Sequence, residues 1–229
     1  MHRTPLHIVL IGPPGAGKST VGQALAALVD IAVISTGVIL RAEIQTGSLL
    51  GQDIARHIDT GDFVTDAMIQ QVLEAQCSLL QPSQGIVLDG YPRNIAQAGA
   101  LPALLGQFAR TIDAVVLLDI PDATALTRLG GRRMCITPTE TYPVHLADAA
   151  ALALCTAQNG VLTIRPDDAP DIIAHRLTVY HRNTAPLIAY YQQQGLLRRV
   201  DASADPDAIA RAILTAVTTS STIPTTPVS

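Results

Sequence analysis

Hydrophobic and polar positions alternate between two rhythms along the chain. Short apolar, β-branched runs occupy residues 6–11 (LHIVLI), 31–36 (IAVIST), 85–90 (GIVLDG), 112–120 (IDAVVLLDI) and 196–201 (LLRRVD), and each predicts a strand. The runs at 85–90 and 112–120 are too apolar for a sheet with one wet face, so they predict strands buried on both sides. Between the runs, apolar residues recur at helical spacing, first in VGQALAALV (21–29) and last in an amphipathic helix from about Pro206 to Val217. Residues 37–80 read as helical, with breaks at Gly47, Gly51 and Gly61. Strands alternating with helices imply an α/β fold, a doubly wound parallel sheet of five strands.

One segment breaks the rhythm. Residues 132–165 show no apolar period of helix or strand length, and Pro138, Pro143, Asn159 and Gly160 punctuate them. An insert of that length without its own period predicts a lid or small lobe. The last residues, TTSSTIPTTPVS, are uncharged and rich in Thr, Ser and Pro, which predicts a disordered tail over 219–229. There is no internal repeat.

Composition narrows the function. With 48% hydrophobic residues, the 229-residue chain has material for a large core, and a net charge of -4 gives no basic field for wrapping nucleic acid. Any polyanion it binds must meet a local cluster of cations. No leader pattern opens the chain and no run of about 18 apolar residues crosses it, so neither export nor membrane spanning is expected. Three cysteines, Cys77, Cys135 and Cys155, make no dense disulfide framework, and a cytoplasmic enzyme is the expectation.

The candidate chemistry begins at Lys18, the single lysine beside fourteen arginines. It lies in Gly12-Pro-Pro-Gly-Ala-Gly-Lys-Ser19, which fits G-x-x-x-x-G-K-[ST] between a predicted strand and a predicted helix. The glycines let successive backbone N–H groups turn toward a phosphate, and the following helix N-terminus adds positive potential. Lys18 would set a slim ammonium against the β- and γ-phosphates, where a guanidinium is too broad. Ser19 is the natural hydroxyl for Mg²⁺, and Thr20 is available to a phosphate. A bound nucleoside triphosphate is the expectation, but the loop alone does not name a reaction.

The arginines do. Arg41, Arg93, Arg128, Arg132, Arg133, Arg165 and Arg176 stand largely at the ends of predicted elements. Together with GPPGAGKST, ISTGVILR, GDFVTD, LDGYPRNIAQA, RLGGRRMC, RPDD and RLTVYHRNTAPLIAYYQQQGLL, they make the chain closely resemble the adenylate kinases, from Ile8 to about Ala216. The resemblance implies a phosphate-loop core (1–35, 65–131 and 166–218), a monophosphate lobe (36–64) and a lid (132–165). It implies that Gly15, Ala16, Gly17, Lys18, Ser19 and Thr20 hold the ATP phosphates, with Arg128 near the adenine or triphosphate. Arg132 would meet ATP, and Thr141 and Tyr142 would touch it from the lid. Thr36, Arg41, Asp62, Phe63, Val64, Gly90, Tyr91, Pro92, Arg93 and Gln97 would line the AMP site. Arg165 and Arg176 would contact AMP and the transferring group, so that Lys18, Arg93, Arg132, Arg165 and Arg176 form the catalytic set. Gln97 would read the base through its amide, and Asp89 would organise Mg²⁺ through water. The implied reaction is the reversible, Mg²⁺-dependent conversion of ATP and AMP to two ADP by a monomer. A pyrimidine monophosphate kinase, toward which Asn94 points, and a nucleotide sensor without turnover are the alternatives.

Three departures from the family pattern stand out. Val38 replaces the Asp of STGD, which removes a partner for a lid arginine, and Ser19 stands where glycine is usual. In the lid, Cys135 and Cys155 occupy the first and third places of a zinc ribbon, but Pro138 and Gln158 occupy the second and fourth. Neither ligates zinc, so no structural zinc is expected. The lid is instead expected to keep the ribbon's shape by packing, with the cysteines left as a pair near enough to oxidise. His57, His175 and His181 read as surface residues, Tyr190 and Tyr191 as helix packing, and Cys77 as a buried small hydrophobe.

Overall fold

A computed structural model describes residues 5–60 and 62–218; the predicted tail lies outside them. In chain order the elements are β1 (His7–Ile11), α1 (Lys18–Leu28), β2 (Ile31–Ser35), α2 (Thr36–Gln45), α3 (Leu49–Thr60), α4 (Asp66–Ser78), β3 (Gly85–Asp89), α5 (Ile95–Gly106), β4 (Ala114–Asp119) and α6 (Asp122–Gly130). There follow β5 (Arg132–Ile136), β6 (Thr141–His145), α7 (Ala149–Ala157), β7 (Val161–Thr163), α8 (Pro170–Val179), α9 (Pro186–Gln193), β8 (Leu197–Asp201) and α10 (Pro206–Thr218). A 3₁₀ turn at Pro166–Asp168 precedes α8, and a π-helical turn at Tyr180–Thr184 joins α8 to α9.

The five expected strands form one parallel sheet in the order β2-β3-β1-β4-β8. Period-two alternation divides their side chains between two cores. Ile8 and Leu10 of β1 and Ala114, Val116 and Leu118 of β4 face one layer with α1 and α10. Val9, Ile11, Val115 and Leu117 face the other layer with α4, α5 and α9. Both faces are therefore dry, which is why these strands read as continuous apolar runs. Tyr191 and Cys77 lie inside the second core, as expected. β8 forms one edge of the sheet and carries Arg198 and Arg199, charges that discourage further pairing.

Two expectations need correction. Gly51 does not break the helices but lies inside α3, where a Cβ would stand 2.5 Å from the Glu43 carbonyl oxygen of α2. The residue is glycine because the two helices approach backbone to backbone there. Gly47, with φ +70, makes the turn between them, and Gly61 lies outside the described residues.

The second correction concerns 132–165, which is not without regular structure. It folds as an antiparallel sheet β6-β5-β7, with α7 packed on one face around Cys135, Val144 and Cys155. The pattern hid this for a physical reason. α7 (AAALALCTA) has no polar face and the strands are three to five residues long, so neither period develops. Cys135 and Cys155 are joined as a disulfide across this core, and neither sulfur is a free thiolate. The other two ribbon places are absorbed locally: Gln158 accepts from the Tyr142 hydroxyl at 2.6 Å, and Pro138 sits in the turn closed by Thr137 and Glu140.

Candidate active site

The site sits at the carboxyl ends of the parallel strands. β1 is central, and the connections from β1 and β4 leave toward opposite edges, which opens a crevice over the glycine loop. Gly12, Gly15 and Gly17 adopt φ of +148, +85 and +85. At Gly12 a Cβ would stand 2.5 Å from the Leu118 carbonyl oxygen, so the loop can lie close to β4 only with glycine there. Ala16 is buried under the loop, while Ser19 and Thr20 start α1 and are exposed.

Lys18 folds back across this loop and donates from Nζ to the Gly12 carbonyl at 2.8 Å and the Pro13 carbonyl at 2.9 Å. Burial lowers its pKa to about 8, against the raising effect of Asp89, and the charges of Arg93, Arg176 and Arg132 push the same way as burial.

Asp89, at the end of β3, ties together the end of β2 and the starts of α1 and α2. One carboxylate oxygen accepts from Ser19 Oγ at 2.5 Å and Ser35 Oγ at 2.7 Å, and its backbone carbonyl accepts from Thr36 Oγ1 at 3.3 Å. Ser35 was not singled out in the sequence, where it is one more small residue ending a strand. Gly90 follows with φ +83, and a Cβ there would stand 2.5 Å from Thr36 Oγ1. The Tyr91–Pro92 bond is cis.

The arginines converge. Arg93 donates from Nε to the Gly90 carbonyl at 2.7 Å and lies 4.7 Å over the Phe63 ring, while Thr184 Oγ1 donates to the Arg93 carbonyl at 2.8 Å. Arg132 forks onto Asp168, with Nε at 2.7 Å and Nη2 at 2.5 Å. Arg176 donates to the Asp167 carbonyl at 2.8 Å and reaches the Asp167 and Asp168 carboxylates at 3.1 and 3.4 Å. Arg165 Nε lies 3.0 Å from Met134 Sδ. Arg41 curls over Gly37, whose Cβ, if present, would stand 3.3 Å from the guanidinium. Burial lowers the pKa of Arg41 and Arg176, and brings Arg93 and Arg165 to about 10.

Those shifts carry information about the ligand. Arg41 feels Asp167, Arg132, Arg176 and Asp89, and Arg165 feels Arg132, Arg41, Asp167 and Asp168, so one field contains them all. Six cations (Lys18, Arg41, Arg93, Arg132, Arg165 and Arg176) share it with three buried carboxylates, Asp89, Asp167 and Asp168. Excess positive charge withdrawn from water is costly unless an anion completes it. Asp167 and Asp168 lie inside RPDD, and two carboxylates beside a proline at a helix start are the sequence signal that marks them as arginine holders.

Other expected site residues divide into two groups. Val64 is buried in the core, and Tyr91 donates to the Gln97 carbonyl at 3.3 Å, its pKa pushed up to about 12 by burial and the Asp66 charge. Gln97 is only 4% exposed and accepts at Oε1 from the Arg93 N–H at 2.6 Å. Asp62 receives His175 Nε2 at 2.9 Å, so that half-exposed histidine has a partner that its surroundings in the sequence did not show. By contrast, the Arg128 guanidinium is bound to the Ala202 carbonyl at 2.9 Å, the Tyr142 hydroxyl is committed to Gln158, and Thr141 is exposed on β6. Among the described residues, no three His, Cys, Asp or Glu side chains form a group that could hold a metal ion.

A glycine loop with an inward lysine at a sheet's switch point, facing guanidiniums rather than a general base, defines a phosphate-loop phosphotransferase whose acceptor needs no deprotonation. Comparison with known proteins narrows the class: a family description for adenylate kinase matches residues 10–196. Adenylate kinase of Geobacter sp. (strain M21) is 38% identical over 212 residues, spanning 93% of this chain and 99% of its own. That of Lachnospira eligens is 35% identical over 209 residues (91% and 98%), and that of Symbiobacterium thermophilum 37% over 212 (93% and 98%). The chain belongs to the adenylate kinase family, and reversible phosphoryl transfer between ATP and AMP is the activity that follows from that membership.

Proposed function

We propose that the two nucleotides meet across the arginine field, ATP from the glycine loop and AMP from the side of Thr36, Arg41 and Arg93, with 36–64 as the monophosphate lobe and 132–165 as the lid. The carrying observation is that six cations, Lys18 among them, share one field with only three buried carboxylates. An AMP phosphate oxygen is already ionised near neutral pH, so catalysis here is alignment and charge stabilisation. Lys18 follows the β- and γ-phosphate charge, Arg132, Arg165 and Arg176 stabilise the transferring group, and Arg93 holds the acceptor phosphate. Closure of the lid excludes water, which would otherwise accept the phosphoryl group.

Mg²⁺ prefers oxygen donors, and Ser19 Oγ and the Asp89 carboxylate are an all-oxygen pair 2.5 Å apart. The residues fit: Ser19 would hold the ion beside the phosphates, and Asp89 would hold its waters. Bound there, Mg²⁺ supplies charge neutralisation of the triphosphate. A cytoplasmic monomer belongs to the same reading. No helix among the described residues is long and apolar enough to cross a membrane.

Asn94 carries no argument for the pyrimidine alternative, because its side chain has a local duty: it caps α5 by accepting from the Gln97 N–H at 2.8 Å. The test is a panel of monophosphates with ATP, GTP and Mg²⁺. AMP with ATP is expected to turn over fastest, whereas faster turnover of UMP or CMP would replace this reading. Tight binding of a two-headed adenosine polyphosphate without ADP formation would make the protein a sensor.

A further inference from the structure

Gln97 is held by two partners of opposite and fixed polarity. Its Oε1 accepts from the backbone N–H of Arg93 at 2.6 Å, and its Nε2 donates to Asp66 Oδ1 at 2.6 Å. A backbone N–H can only donate, and an ionised carboxylate can only accept. The amide therefore has one permitted orientation. Rotated by half a turn, it would set N–H against N–H at Arg93 and oxygen against oxygen at Asp66.

An amide has two donors and two acceptor lone pairs, so this arrangement leaves one N–H and one lone pair of Gln97 uncommitted. We propose that Asp66 is a positioning residue for base recognition: by fixing the Gln97 amide, it makes the monophosphate site select adenine, which offers one donor (N6–H) and one neighbouring ring-nitrogen acceptor. Hypoxanthine reverses that polarity, with an oxygen at C6 and a proton on N1, and matches only the flipped amide. The proposal rests on the reading of Gln97 as the base contact. Asp66 is the first residue of α4, capped by Thr65, and Gln97 lies in the first turn of α5. The hydrogen bond thus joins two helix starts, and a purely structural tie is the competing explanation.

The experiment compares wild type, Asp66→Ala, Asp66→Asn and Gln97→Ala with AMP and with inosine monophosphate, alongside KM for ATP and the melting temperature. Loss of one charge-assisted hydrogen bond corresponds to about a tenfold effect. Asp66→Ala is expected to lower kcat/KM for AMP about tenfold and to narrow the preference for AMP over inosine monophosphate by a similar factor, with KM for ATP within about twofold. Asp66→Asn keeps an acceptor oxygen and is expected to recover most of both; it also serves if the alanine variant melts below the assay temperature. Equal losses toward ATP and AMP with an unchanged base preference would mean a structural tie only and would overturn the proposal. So would an unchanged Asp66→Ala beside an impaired Gln97→Ala, which leaves the Gln97 reading standing. If Gln97→Ala keeps the wild-type base preference, that reading fails and the proposal falls with it.

Discussion

Asp168 accepts both arms of the Arg132 guanidinium and lies 3.4 Å from Nη1 of Arg176, so one buried carboxylate orients two arginines. Removing it leaves Arg132 without its partner and Arg176 with Asp167 alone, a loss of about 3 kcal/mol. Asp168→Ala is expected to melt at a lower temperature, to recover much of that loss when inorganic tripolyphosphate is added, and to lose about a hundredfold in kcat. A melting curve that tripolyphosphate leaves untouched would show that the arginines do not await an anion.

Lys18 gives a pH-dependent signature. Its pKa is about 8 in the fold against 10.5 for the free side chain. The unfolded chain therefore binds the extra proton between those values, and the stability cost of the buried ammonium is complete below pH 8 and fades as pH rises toward 10.5. Relative to Lys18→Met, the nucleotide-free wild type should gain stability from pH 7.5 to 9.5, measured as the difference between their melting temperatures. A difference that is flat or falls with pH contradicts the lowered pKa. In turnover, Lys18→Arg is expected to lose about a hundredfold in kcat, because the guanidinium cannot enter between the Gly12 and Pro13 carbonyls.

The core of the proposed lid consists of Cys135, Val144 and Cys155 with a few half-buried neighbours, too few to hold three short strands and a helix by packing alone. The disulfide closes a loop between residues 20 apart, which corresponds to about 3 kcal/mol of loop entropy. Reduction with a dithiol, which takes two electrons and two protons to give two thiols, should speed hydrogen exchange and proteolysis within 132–165. The five-stranded sheet should stay protected. Equal exchange in the lid before and after reduction would show that packing suffices.

Gly51→Ala should separate α2 from α3, since the added carbon would stand 2.5 Å from a backbone oxygen that cannot rotate away. Overpacking of this kind costs about 1–3 kcal/mol. KM for AMP should rise with little change in KM for ATP, because both helices lie in the proposed monophosphate lobe. Equal shifts in the two constants would sever the helix contact from the AMP site.

The strands, the glycine loop and the family were legible from sequence because each rests on local or periodic signals: dry strands read as apolar runs, and a phosphate loop needs glycines at set spacing. Gly51 was misread because a helix-breaking glycine and a close-packing glycine look the same until the second helix is in place. The lid escaped because an alanine-rich helix without a polar face and strands of three to five residues carry no period. Arginine positions were visible, but their holders were not. Asp168 lies 36 residues from Arg132, Asp66 lies 31 from Gln97, and Ser35 lies 54 from Asp89. By itself the sequence determined which residues could turn a loop, fill a dry strand or carry charge, since those properties belong to single residues and their near neighbours. Only the tertiary structure decided which carboxylate faces which arginine and which way the Gln97 amide points, because hydrogen-bond partners far apart in the chain are chosen by how the strand and helix ends meet.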